Sequence, residues 1–298
     1  MMITDRTVLR LQRMEKLQAE VYSRLASTQK DAGNRECLTI IAADEQRHYE
    51  FWAGITGKTS HAPRALVLWY LLIAKFLGLS FCLNLLERKE QSIVGLYASI
   101  LDVYPEAALI LADEELHEQL LLDNINEEHL NYTGSFVLGL NDALIELTGV
   151  LAGLTLAFQN QKMIAIAGLV TGVAASLSMA SSEYISKGMD DDQNRLKAAG
   201  YTGVAYLITV ILLISPYLII TPGMSNSIPF NLQPYMLSLI STLVISVLII
   251  ISFNYYTSVA LRRPFRRNFI EMLLLSLGVA SITFALGYGI RAWLGAAI

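Results

Sequence analysis

Two Glu-x-x-His units, Glu45-Gln-Arg-His48 and Glu114-Glu-Leu-His117, place a carboxylate and an imidazole on one helix face each. Further carboxylates, Glu15, Glu87 and Glu90, fall in helical phase with apolar residues on two other stretches. A carboxylate on a core-facing stripe must be paired or bound to metal, because an isolated buried charge is too costly. A second set lies in far more apolar sequence. Asp142 and Glu146 are four residues apart, as are Met179 and Glu183, so each pair shares a face. Two oxygen ligands opposite an oxygen and a thioether suit a borderline transition metal better than magnesium or calcium. The competing reading is solvation at helix ends, which Glu183 fits better than Asp142 or Glu146.

The first set needs four helices. Periodicity predicts one over about 6–28, striped by Leu11, Glu15, Gln18, Tyr22 and Leu25. A second, about 35–55, is striped by Leu38, Ile41, Glu45, His48 and Trp52. A third ends in Leu83, Glu87, Glu90, Val94 and Tyr97, and a fourth, about 105–130, carries Ala107, Ile110, Glu114, His117 and Leu121. Glu20 competes with Glu15 on the first helix but falls off its inward stripe. His61 and His129 read as solvated. One carboxylate from each of two helices and Glu-x-x-His from the other two is the ligand logic of di-iron carboxylate bundles. The apolar run 65–86 is long enough to cross a bilayer. Crossing would separate Glu45 and His48 from Glu87 and Glu114, so it is expected to be a lead-in to the third helix, on the membrane surface or in a dimer interface.

The second set needs membrane spans. Of 298 residues, 54% are hydrophobic, and the mean hydropathy is +0.46. Residues 1–133 hold 19 acidic and 13 basic residues; 134–298 hold 7 and 9. That split predicts a charged module, 1–133, joined to a membrane domain, 134–298. The net acidic module suits cations and offers no footprint for nucleic acid. Cys37 and Cys82 fit no zinc or redox spacing and are expected to pack as small hydrophobes. Five spans are predicted, at about 134–158, 162–187, 200–221, 233–257 and 268–293. Lys187, Arg195 and Lys197 follow the second; Arg262, Arg263, Arg266 and Arg267 follow the fourth. These basic loops belong inside, giving a multi-pass cell-membrane protein with a cytoplasmic N-terminus and an outside C-terminus. Gly149-x-x-x-Gly153 and Gly168-x-x-x-Gly172 would allow close helix packing, within the protomer or across a dimer.

With these residues in view, the N-terminal half resembles the ferritin-like superfamily, rubrerythrins in particular. Glu15 stands seven residues before Tyr22, and Glu87 beside Glu90 adds an extra glutamate. No rubredoxin-type cysteine module follows. The stretches 139–149 and 178–186 resemble the vacuolar iron transporter family, whose members move ferrous iron, sometimes manganese, out of the cytosol in exchange for protons, as dimers. That resemblance implies Asp142 and Met179 as membrane metal ligands, with Glu146 and Glu183 as ligand or proton carrier. Plant-type members carry a metal-binding insert between spans two and three; here only 186–199 lies there. The combined resemblance, to membrane-bound ferritins, implies an all-α chain: a ferritin-like four-helix bundle followed by a five-span transmembrane domain. It implies a di-iron site at Glu15, Glu45, His48, Glu87, Glu90, Glu114 and His117, with transported Fe2+ or Mn2+, protons and membrane lipid as partners and a homodimer as the assembly. An iron exporter is expected, with a membrane-anchored di-iron oxidase or peroxidase as the alternative.

Overall fold

The chain is all-α in the structure, a computed structural model that describes residues 5–91, 100–125, 132–189, 194–220 and 233–294; the side chains of residues 5, 89–91, 123 and 294 fall outside that description. It divides into two compact units, 1–127 with 259–262, and 128–258 with 263–298.

The first unit is a bundle of α1 (Asp5–Thr28), α2 (Ala32–Thr56), α3 (Arg64–Leu77), α4 (Leu79–Gln91) and α5 (Ala108–Asn124), the last entered through a 3-10 turn at Pro105–Ala107. Asp31 starts α2 by accepting from the Asn34 amide at 2.8 Å, and Gly57 ends it in the left-handed region at φ 61°. The described members of every inward stripe are buried, from Leu11 and Tyr22 on α1 to Trp52 on α2 and Leu121 on α5. Only Glu114 keeps slight access, its side chain 10% exposed. Cys37 and Cys82 are buried thiols outside any disulfide, both within the cluster of Tyr22, Leu38, Tyr70 and Leu83.

The apolar lead-in to the third helix is itself a helix. Residues 65–86 belong to two helices, α3 and α4, broken at Gly78, whose φ of 99° and ψ of 156° only glycine adopts readily. The fourth also ends earlier than predicted: Ile125 is extended after Asn124, and His129 lies outside the described residues.

The second unit holds five helices long and apolar enough to cross a membrane: α6 (Thr133–Phe158), α7 (Gln161–Met189), α8 (Arg195–Ile219), α9 (Pro234–Ala260) and α10 (Phe265–Leu294). The α6 helix packs against α7, α8 and α10, and α7 packs against α8. Leu144, Leu147, Leu151, Ile164, Tyr206 and Leu213 are among the core side chains. The glycine motifs are used inside the protomer. A Cβ at Gly149 would stand 2.8 Å from Val279 on α10, and one at Gly172 would stand 2.6 Å from Val210 on α8. These are the close approaches that small residues permit between membrane helices.

Candidate metal centre and membrane path

Four helices converge on the bundle site: α1 brings Glu15, α2 brings Glu45 and His48, α4 brings Glu87, and α5 brings Glu114 and His117. Among the described residues, Glu15, Glu45, His48 and Glu114 offer ligand atoms within 4.8 Å of one another. His48 Nδ1 lies 3.2 Å from Glu114 Oε1 and 3.9 Å from both Glu15 Oε2 and Glu45 Oε2. His117 Nδ1 lies 3.3 Å from Glu114 Oε2 and 3.6 Å from Glu45 Oε1. Each of these two glutamates thus turns one oxygen toward each imidazole, the disposition of a carboxylate that bridges two cations. The imidazole centroids are 5.9 Å apart.

Glu15 completes the His48 side. The Tyr22 hydroxyl holds Glu87, donating to its Oε1 at 3.0 Å. Glu87 also feels the charges of Glu114 and His117. Glu20 is elsewhere, in a surface pair with Arg24 at 2.8 Å, and His61 is exposed. The Glu90 side chain lies outside the described residues.

Behind the imidazoles is a layer absent from the expected ligand set. Asp44 Oδ2 lies 3.1 Å from His117 Nε2, and Asp113 Oδ2 lies 3.1 Å from His48 Nε2. Each helix therefore orients the histidine of the other. Arg47 pairs with Asp44 and lies 3.5 Å from Asp113, joining the two carboxylates at the surface. Such outer carboxylates fix which ring nitrogen faces a metal and raise its basicity. The signal was in the sequence: an aspartate immediately precedes the glutamate in both Glu-x-x-His units.

Charge makes the site a cation trap. Burial, then the neighbouring Glu45, pushes Glu15 well above the ordinary carboxylate range. Burial pushes Glu87 up to about 7. Burial would also raise Glu114, but the adjacent imidazoles of His117 and His48 outweigh it and hold Glu114 at about 2. His117 feels the converse: burial opposes its charge, yet Glu114 and Asp44 lift it to about 9. Both oxygens of Glu15 are buried with no hydrogen-bond partner, and Nδ1 of His48 and Oε1 of Glu114 also lack one of good geometry. Unsatisfied buried groups of this kind are costly unless something fills the space between them. The donor set, carboxylates and imidazoles without thiolate, could hold a divalent metal ion.

In the membrane unit, α6 presents Ser135, Asp142 and Glu146 at spacings of seven and four. The Tyr206 hydroxyl donates to Glu146 Oε2 at 2.7 Å, and Ser135 donates to Glu183 Oε1 at 2.6 Å. Thr202 donates to the Ser135 carbonyl at 2.9 Å. Gly139 makes this possible, since a Cβ there would stand 2.2 Å from the Thr202 carbonyl oxygen.

The burial order reverses the expected one. Glu183 is buried, 8% exposed, Asp142 is half-buried and Glu146 is exposed. Proximity to a helix end marked Glu183 for solvation, but Ser135 on the neighbouring helix covers it. Met179 packs against the apolar core. The structure places Asp142 and Glu146 on α6 and Glu183 on the adjoining α7, and among the described residues no three ligating groups gather there as they do in the bundle. Ser135 and Tyr206 were not foreseen, because a lone hydroxyl in an apolar run carries no spacing signal.

Residues 133–194 match the VIT family model. The matched stretch holds α6 and α7, and with them Asp142, Glu146, Met179 and Glu183. The bundle ligands and α8 to α10 lie outside it. No curated protein and no solved structure matches the chain. The VIT match therefore bears on the membrane path, and the metal-holding capacity of the bundle rests on its own geometry.

Proposed function

We propose that the protein carries ferrous iron, with manganese as a possible second cargo, out of the cytosol in exchange for protons. Its bundle binds metal at Glu15, Glu45, His48, Glu87, Glu90, Glu114 and His117. Iron passes to Asp142 and Met179 in the membrane unit, with Glu146 and Glu183 as further ligands or proton carriers. Protons arriving from outside neutralise these carboxylates and release the metal, since ligands must be deprotonated to bind. The basic connections after α7 and α9 support a cytoplasmic N-terminus and an outside C-terminus. A homodimer is the assembly proposed. The observation that carries the reading is one chain holding both a buried Glu/His cluster and a VIT-matched span pair with paired carboxylates.

The test is metal uptake into proteoliposomes with an acidic lumen. Wild type is expected to accumulate Fe2+, Asp142→Ala to lose uptake, and Glu45→Ala/Glu114→Ala to retain a reduced flux. Absence of flux from all three overturns the transport reading. The two-position geometry of the bundle, with Glu45 and Glu114 each facing both imidazoles, favours one alternative, a membrane-anchored di-iron oxidase or peroxidase. Oxygen- or peroxide-dependent turnover that is lost in Glu45→Ala/Glu114→Ala and unchanged in Asp142→Ala, with no flux, would establish it.

A further inference from the structure

The α3 helix spends one face on the bundle and leaves another bare. Val67 and Tyr70 are buried against α1 and α4 neighbours. Leu68, Trp69, Leu72 and Phe76, spaced to share the opposite side, are exposed, Trp69 at 46% and Phe76 at 75%. Beside them a groove of about 380 Å³ is lined by Leu25, Leu71, Leu72, Lys75 and Leu79. Apolar faces of this size on a soluble surface mark a binding surface.

Charge selects what covers it. Residues 51–86 contain Lys58, Arg64 and Lys75 and no acidic residue, although residues 1–133 as a whole are net acidic. Arg64 and Lys75 stand at the two ends of α3. In an antiparallel pairing of two α3 helices, Arg64 of one copy would approach Lys75 of the other. In a parallel pairing, each cation would meet its own copy. No carboxylate on this segment relieves either arrangement, so a second copy is disfavoured. An anionic bilayer surface meets all the requirements. It accepts an apolar face at the acyl boundary, a tryptophan at headgroup depth and cations at its margins. In the chain, only residues 125–132 separate the end of α5 at Asn124 from the first membrane helix at Thr133.

We propose that α3 is a membrane-surface helix that seats the exposed face of Leu68, Trp69, Leu72 and Phe76 in the interface of an anionic leaflet. The test uses the full chain with Trp52→Phe and Trp293→Phe, leaving Trp69 as the remaining indole. The protein is reconstituted into phosphatidylcholine vesicles with or without phosphatidylglycerol, the acyl chains brominated near the headgroup. Loss of Trp69 emission is expected, greater with phosphatidylglycerol, and the increment should disappear in high salt and in Arg64→Ala/Lys75→Ala. These two side chains are exposed, so that variant leaves the core intact. Full emission in brominated vesicles, with ready quenching by aqueous iodide, overturns the proposal. So does a disulfide between protomers in Phe76→Cys without bromine quenching, which would assign the face to a second copy.

Discussion

His117 carries a proton that a metal must displace. With its pKa near 9, His117 is protonated at neutral pH, and Glu87, near 7, is partly so; metal loading releases these protons. Affinity for Fe2+ or Mn2+ is expected to rise steadily from pH 6 to pH 9, with proton release visible as a buffer-dependent heat in calorimetry. A pH-independent affinity would contradict that assignment. The metal-free bundle should show the opposite trend. His117 and Glu87 both have raised folded pKa values, so their stabilisation is complete below their unfolded values and fades as pH climbs through about 7 and 9. Glu114 is depressed to about 2, so its contribution holds above its ordinary value near 4.5 and is lost only in strong acid. Chelator-treated protein should therefore melt at lower temperature at pH 9 than at pH 5.5. Asp44→Asn and Asp113→Asn remove the orienting acceptors while sparing the ligands. Each is expected to weaken metal binding by roughly 10–100-fold in chelator competition. Asp44, Asp113 and Arg47 escaped the periodic reading because they sit beside the inward stripe. Their reach to the opposite helix is visible only once that helix is in place.

At the scale of elements, two glycines decide whether helices can be where they are. Gly78 breaks the apolar run into α3 and α4 in a conformation that a side chain resists, so Gly78→Ala should destabilise the bundle by about 1–3 kcal/mol, read from denaturant unfolding. The repeated three- and four-residue spacing made α1, α2 and α5 legible in sequence, since a buried stripe forces that period. A single-residue kink leaves no periodic trace, so periodicity alone does not place the break between α3 and α4. Gly139→Ala acts in the membrane unit. Its new methyl would meet the Thr202 backbone, which has no flexible end to swing away. Parting α6 from α8 there disturbs both Thr202–Ser135 and Tyr206–Glu146. The expected result is a correctly inserted protein with its flux abolished; full flux would show that the close approach is dispensable.

For the whole molecule, the hydropathy of the second half made five spans legible, while their contacts were not. Depth along α7 suggested that Glu183 would be solvated, yet what covers it comes from α6, and one helix read alone cannot show that. The two units have separate cores. Damage to one should thus leave the other folded: Glu45→Ala/Glu114→Ala should change metal content without altering span protection in protease mapping. Loss of both together would reveal a coupling that the separate cores do not anticipate.

The reciprocal reach of Asp44 to His117 and Asp113 to His48 makes the layer behind the imidazoles two-fold in pattern, exchanging α2 with α5. One hydrogen bond nearby has no mirror image in the sequence. Tyr22 stands seven residues after Glu15 and holds Glu87, whereas the residue seven after Glu87 is Val94, which brings no hydroxyl. The phenol of Tyr22 thus restrains one of the two carboxylates, Glu87, and not the other, Glu15. Tyr22→Phe is expected to free Glu87 and to shift one Mössbauer environment of bound iron while leaving the other in place.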